Sequence, residues 1–175
     1  MISVNKSVRT KSALLSSLVA LFLVVLPGCY SFKDISIPEE IKTVRVQYFE
    51  NKARLFNPVL SPLLTDKLRQ KVISQTRLTQ VQGEDAHYDI AGTITDCSVT
   101  TTGISNQQAA SNRLNITVQI EFKNRKDETK NFEASITRNF DFSASLTLDQ
   151  AQLQLQDEII RNLSDEIFNR IFSNW

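Results

Sequence analysis

The stretch "RLNITVQIEFK", residues 113–123, carries the clearest pattern in the chain. Apolar and polar side chains alternate without exception, and the apolar set is Leu114, Ile116, Val118, Ile120 and Phe122. Because successive side chains of a strand point to opposite faces, this alternation predicts a β-strand with one buried face and one face in water. Strands of this kind are typical of antiparallel sheets.

A second strand with the same pattern follows the turn "NRKDETKN". The segment "FEASITRNFDF", 132–142, places Phe132, Ala134, Ile136, Phe140 and Phe142 at one parity. Arg138 interrupts the series, because it occupies an apolar position. Its charge is explained either by a place at the end of the sheet, where the side chain reaches water, or by contact with a partner. The sequence favours neither explanation.

Two further strands precede this pair. The segment "IKTVRVQYF", 41–49, alternates like a half-buried strand. In "HYDIAGTITDCSVT", 87–100, the apolar parity changes after Ile94, and a β-bulge near Thr95 and Asp96 accounts for the change.

Shorter or less regular segments lie between these strands. "RLTQV", 77–81, is consistent with a short edge strand. "TGISNQQAASN", 102–112, is long, polar and uncharged, and we interpret it as a mobile loop between strands.

Two amphipathic helices complete the domain. Ser61 as the N-cap, followed by Pro62 in the first turn, predicts the start of the first helix, and an apolar stripe recurs at Leu60, Leu64, Leu68 and Val72. Thr147 and Gln150 form a capping box for a helix that reaches about Phe172. The second helix, about 36 Å long, matches the reach of the eleven-residue strand before it. We therefore predict an α+β fold in which two helices pack on one face of a four-stranded, mostly antiparallel sheet.

The first 28 residues differ from the rest of the chain. Lys6, Arg9 and Lys11 are positive, no acid is present, and residues 13–26 form an apolar stretch. As a helix this stretch spans about 21 Å, which is short of the roughly 30 Å hydrocarbon core of a membrane. The arrangement predicts a secretory signal peptide.

The leader ends at "LPGC", 26–29, which resembles the lipobox of bacterial lipoproteins. Gly28 is small, as cleavage requires, and Cys29 becomes the lipid attachment site, with a covalent diacylglycerol and an N-acyl lipid as its expected modification. Three acyl chains anchor a domain stably. The alternative is a plain signal peptide whose Cys29 pairs with Cys97. Tyr30 replaces the Asp that retains many lipoproteins at the inner membrane, so we expect an outer-membrane, lipid-anchored protein that faces the periplasm.

These boundaries divide the chain into a lipoprotein signal peptide at 1–28, a lipidated tether at 29–40 and a single α+β sandwich domain at 41–175. Without the leader the chain has 17 Lys and Arg against 19 Asp and Glu, a net charge of −2. Nucleic-acid binding is therefore not expected, since phosphate-binding domains are usually basic.

No constellation of residues predicts catalysis, a metal or another cofactor. His87 is the single histidine, and one histidine with two cysteines is too little for a metal site. Asp85 and Asp89 are interpreted as a solvated surface pair. We therefore predict that the protein is not an enzyme.

Several segments together resemble the LptE family, the lipopolysaccharide-assembly lipoproteins of the outer membrane. They are the lipobox, "VQYFEN" (46–51), "LLTDKLRQKV" (63–72), "DAHYDIAGTI" (85–94) and "LNITVQIEF" (114–122). The resemblance implies a lipoprotein that plugs and scaffolds the large β-barrel LptD and assists lipopolysaccharide transport to the outer membrane. The alternative is another envelope lipoprotein module, either a regulator of a peptidoglycan synthase or a subunit of a secretion channel.

Candidate contacts with lipopolysaccharide or the barrel are the bases between residues 113 and 138, namely Arg113, Lys123, Arg125, Lys126, Lys130 and Arg138. Arg and Lys pair with phosphates through charge-assisted hydrogen bonds. The alternative is a solvated turn whose charge discourages aggregation. The polar positions of the same strands, Asn115, Thr117, Gln119, Ser135, Thr137 and Asn139, suit either the polar wall of a barrel or plain solvent.

Overall fold

Three long strands dominate the structure, a computed structural model that describes residues 37–55, 57–105 and 108–173. At 104, 105 and 108–110 the description covers the backbone alone. The elements in chain order are β1 (Thr43–Val46), β2 (Glu50–Asn51), α1 (Leu60–Gln75), β3 (Thr79–Gln80), β4 (Tyr88–Ser105), β5 (Gln108–Asn124), a 3₁₀ turn (Glu128–Lys130), β6 (Phe132–Ser143) and α2 (Leu148–Phe172). The predicted signal peptide, Cys29 and most of the tether lie outside the described residues.

Within the described residues the sheet has six strands: five lie side by side in the order β3-β1-β4-β5-β6, and β2 pairs with β4 beyond the end of β1. The strands β4, β5 and β6 are antiparallel, whereas β1 is parallel to both β3 and β4 and β2 is parallel to β4. The α+β class with two helices is confirmed, but the prediction of four mostly antiparallel strands is wrong. The strand number was missed because β2 and β3, with two residues each, are too short to show a periodic pattern. The direction was missed because α1 connects β1 to β3, and a helical crossover of this kind joins parallel strands.

The register of β4 against β5 contains the predicted bulge. Ile94 lies opposite Val118 and Cys97 opposite Ile116, with a shift between Ile94 and Asp96. The bulge returns Cys97 and Val99 to the apolar face, as the change in parity indicated.

The prediction of a loop over 102–112 is wrong. Strand β4 continues to Ser105 and β5 begins at Gln108, so most of the segment forms the two arms of a hairpin. Pairing depends on backbone groups and needs no apolar side chain, which is why the sequence pattern missed it. Residues 106 and 107 lie outside the described residues.

Both helices pack on the apolar face of the sheet, as predicted. The Tyr88 ring of β4 lies 4.9 Å from the Phe122 ring of β5 and 6.4 Å from the Phe172 ring of α2. The helices run in the same direction, because Asn57 donates to Gln152 at one end and Lys71 pairs with Asp165 near the other. All five apolar residues of 113–123 are buried.

The two helix starts differ from each other. The Thr147–Gln150 capping box of α2 is confirmed, with both reciprocal hydrogen bonds present. The prediction of Ser61 as the first N-cap is wrong, because α1 begins at Leu60 and Ser61 lies inside it. The Asn57 carboxamide oxygen instead accepts the N–H of Val59 just before the helix.

Candidate functional site

The sheet surface opposite the helices is broad and polar. We call it the outer face and define it by Thr93, Ser98, Asn115, Thr117, Gln119, Ser135, Thr137 and Asn139. The register aligns these side chains in rows that cross three strands, such as Thr93–Gln119–Ser135 and Ser98–Asn115–Asn139. The rows follow directly from the alternation in β5 and β6, because the odd-numbered positions of both strands point away from the core.

Hydrogen bonds between neighbouring strands order this surface. The Thr117 and Thr137 hydroxyls lie 3.0 Å apart, and the Asn115 amide donates to the Thr100 hydroxyl over 3.4 Å. These short side chains leave many donors and acceptors free to face outward. Asp96 of β4 lies opposite Thr117 and, among the described residues, is the one charged side chain in the middle of these rows, where its carboxylate accepts a hydrogen bond from Ser98. The neutral side chains around it can form hydrogen bonds with a polar surface without desolvating a charge.

One end of the outer face carries an exposed ion pair. Arg113 of β5 lies opposite Asp141 of β6, and its guanidinium donates to both carboxylate oxygens over 2.7 and 2.9 Å. The pair holds the pKa of the Asp141 carboxyl below its ordinary value. Arg113 is therefore already partnered within the chain.

The other end carries a buried carboxylate. Asp89 is only 4% exposed, and it accepts hydrogen bonds from Arg45 at 2.9 and 2.5 Å and from Gln47 at 3.0 Å. Burial alone raises the pKa of this carboxyl, yet the hydrogen bonds and the charge of Arg45 hold the pKa below its ordinary value. The interpretation of Asp89 as a solvated surface residue is wrong, because a partner 44 residues away covers it.

The bases at the β5–β6 turn are partly neutralised by acids. Lys123 pairs with Glu121 over 2.7 Å, and an Arg125 guanidinium nitrogen lies 3.8 Å from the Asp89 carboxylate. Lys126 and Lys130 are exposed on the turn itself.

The turn that carries these bases has a defined backbone. The Asn124 carboxamide oxygen accepts the N–H groups of Lys126 and Asp127, and the Asp127 carboxylate accepts the N–H of Thr129. Ligand contact at this turn stays a prediction.

Arg138 lies on the helix side of the sheet, opposite Ile116. Its guanidinium pairs with the Glu166 carboxylate of α2, and its side chain stays 45% exposed. The edge position explains this charge, because a side chain on the outermost strand reaches both water and the helix beside it.

The six predicted bases do not form one cluster. Arg113 and Lys123 are ten residues apart on β5, about 33 Å along the strand, and Arg138 points to the opposite face. The sequence analysis missed the contribution of β4 to the outer face, since the bulge obscures which of its polar residues point outward.

Metal-ligating side chains do not cluster in the described part of the chain. No group of three or more His, Cys, Asp or Glu side chains is placed there to hold a metal ion. His87 has a structural contact, because its Nδ1 accepts the backbone N–H of Lys42.

Of the helices in the described ranges, none combines the length and hydrophobicity needed to cross a membrane. Cys97 is buried and unpaired, and burial raises the pKa of its thiol.

Comparison with protein families matches residues 41–171 to the family model LptE, described as lipopolysaccharide-assembly. The match covers the whole sheet and all but the last residue of α2. The chain belongs to the LptE family. Its place in that family supports a role in lipopolysaccharide assembly and an envelope lipoprotein character. A comparison with curated protein sequences gives no match.

Solved structures share the fold of this LptE-family chain at low identity. A minor lipoprotein from Acinetobacter baumannii is 16% identical with a TM-score of 0.52, and covers 77% of this chain and 95% of its own. A hypothetical protein from Chlamydia trachomatis is 7% identical with a TM-score of 0.50, and covers 76% of this chain and 99% of its own. At these identities the likeness concerns the fold alone.

Proposed function

We propose that this protein is an outer-membrane lipoprotein that plugs and scaffolds an LptD-type β-barrel and assists the delivery of lipopolysaccharide to the outer membrane. The family match from residue 41 to residue 171 carries the proposal. The chain would act by contact and positioning, without making or breaking a covalent bond.

The outer face supports this role through its chemistry. A wide barrel has a polar interior, and the rows of Thr, Ser, Asn and Gln side chains across β4, β5 and β6 complement such a wall. The ion pairs Arg113–Asp141 and Arg45–Asp89 lie toward the two ends of the outer face, and Asp96 is the charged side chain between them. A domain that sits in a water-filled lumen needs many modest hydrogen bonds rather than a large apolar patch.

Lipidation at Cys29 is part of the proposal. The eight peptide steps from Cys29 to Ile37 span at most about 28 Å, which would keep the domain close to the membrane surface. Cys29→Ala should move the protein from the membrane to the soluble fraction, and mass spectrometry of the wild-type protein should find acyl chains on this sulfur. A bare sulfur would reject the anchor.

The central test is extraction of the protein from the outer membrane in mild detergent. One large β-barrel should accompany it in near-equal amount. Gln119→Lys on the outer face should lower recovery of the barrel several-fold, because a charge against a polar wall must be desolvated. Gln154→Lys, on the exposed side of α2, is the matched control and should leave recovery unchanged.

Depletion of the protein gives a second readout, since lipopolysaccharide should then accumulate at the inner membrane. Recovery of a peptidoglycan synthase, or of a symmetric ring of this chain alone, would reject the proposal. The six bases are candidate ligand contacts within it, and their replacement would test direct binding separately from barrel recovery.

A further inference from the structure

Strand β4 is longer than its partners on one side. β1 pairs with Tyr88–Ile90 and β2 with Thr93 and Ile94. Beyond them, no strand of the described chain pairs with this side of β4. We call the stretch from Asp96 to Gly103 the open edge. Alternate residues of an unpaired edge direct both their N–H and C=O groups outward, and these groups are ready to bond another strand.

The open edge lacks the usual protection against pairing. Natural sheets guard edge strands with charge, proline or short length. β3 has two residues, and β6 carries Glu133, Arg138 and Asp141 along its edge. The open edge, "DCSVTTTG", has one charge at its beginning and no proline.

One partly exposed apolar side chain lies on the helix side of this edge. Val99 is 36% exposed, although its parity places it on the apolar face. Beside it a small recess, lined by Val59, Cys97, Leu114 and Gln152 among others, lies between β4 and the starts of the two helices. On the other side of the strand, Ser98 and Thr100 continue the outer face.

We propose that the open edge of β4 is a strand-addition site for an extended segment of the barrel partner. This proposal rests on the proposed function. The added segment would place apolar side chains over Val99 and the recess, and small uncharged polar side chains beside Ser98 and Thr100. Backbone hydrogen bonds would supply affinity, and the alternating contacts would supply selectivity.

The chemistry of the open edge limits which part of the barrel can supply the added strand. Strands of a closed barrel have no free edge, so the added segment must come from a loop or from chain inside the lumen. A segment with charges at alternate positions would be disfavoured, because those side chains would meet Val99 and the apolar lining of the recess. The edge is continuous with the outer face, so one partner can contact both.

Photo-crosslinking in intact envelopes tests the proposal with the full-length chain. The photoreactive residue p-benzoylphenylalanine is placed at Val99, with Ile73 of α1, another exposed apolar residue, as the control position. The Val99 adduct with one barrel segment should exceed the Ile73 adduct at least fivefold, and peptide mapping should place it in an extended loop or lumen segment.

A pair of substitutions gives an independent readout. Val99→Lys should lower barrel recovery about tenfold, which corresponds to about 1.4 kcal/mol, and Ile73→Lys should leave it unchanged. Circular dichroism and thermal unfolding establish that both variants fold. If Val99→Lys does not fold, amide hydrogen exchange of the wild type decides instead: amides of the open edge should exchange at least tenfold more slowly in the complex.

The outcomes separate the two proposals. If wild-type protein recovers the barrel but Val99 gives no more adduct than Ile73, strand addition is wrong and the proposed function stands. If wild-type protein recovers no barrel, the proposed function itself fails. An adduct between two copies of this chain would overturn the inference by assigning the edge to self-association.

Discussion

At two positions the environment in the folded structure differs from the one that the local sequence predicts. Asp89 lies just after the polar turn "QGED" (82–85) in sequence, yet the fold buries it against Arg45 and Gln47. Arg138 occupies an apolar position, yet an edge strand lets it reach Glu166 and water together. In both cases the decisive partner is far away in the chain, so no window of local sequence contains it.

Gly92 is required because Phe49 packs against it. A Cβ atom at this position would lie 2.4 Å from a ring carbon of the fully buried Phe49. Gly92→Ala should therefore destabilise the fold by about 1–3 kcal/mol, as measured by urea unfolding.

Gly83→Ala is the control for that experiment. There the added Cβ would meet only the Asp85 side chain, which is exposed and free to turn away. Equal destabilisation by the two substitutions would show that Phe49 is not the cause.

Asp89 should make stability depend on pH. Its folded-state pKa lies below the ordinary value of about 3.9, so its ion pair stabilises the fold above that value. The stabilisation is lost as pH falls through the folded-state pKa. Asp89→Asn should lower the free energy of unfolding at pH 7 by about 2 kcal/mol and flatten its fall between pH 5 and pH 2.

Asp141→Asn provides the comparison, because Asp141 forms an ion pair that is exposed to solvent. Exposed pairs contribute little, so this variant should stay close to wild type at pH 7. A wild-type pH profile that Asp89→Asn does not alter would contradict the role of the buried pair.

At the scale of elements, long periodic segments were predicted well and short ones were not. β5 and α2 repeat their patterns over many residues, and both have the predicted faces. β2 has two residues, and the sequence of the hairpin arms beyond Thr101 lacks a regular alternation of large apolar residues. These segments are extended because their backbones pair with a strand elsewhere in the chain. The periodicity of their side chains does not reveal that pairing.

The start of α2 depends on its capping box. Thr147→Ala removes the hydroxyl that accepts the Gln150 N–H and should cost about 1 kcal/mol in unfolding free energy. Thr147→Ser keeps an acceptor oxygen and should retain most of the stability. Urea unfolding monitored by far-UV circular dichroism measures both, and an equal loss in the two variants would show that the hydroxyl is not responsible.

At the scale of the molecule, the two sides of the sheet differ in chemistry and in what covers them. One side is covered by two parallel helices and forms the core, whereas the other presents rows of polar groups that are mostly neutral. The open edge of β4 joins these two surfaces. The proposals assign contact with the barrel to the polar side and to that edge, and the extraction and crosslinking experiments test each separately.

The sequence by itself determined which residues are buried in β5, the parity change at the bulge, the capping box of α2 and the resemblance to the LptE family. All of these depend on neighbours within a few positions or on motif order. Only the tertiary structure decided the strand number, the parallel direction of β1, the burial of Asp89, the scattering of the six bases and the length of β4 left unpaired. The reason is physical. These properties depend on contacts between backbone and charged groups that are tens of residues apart in the chain, and the alternation of apolar and polar residues contains no information about such contacts.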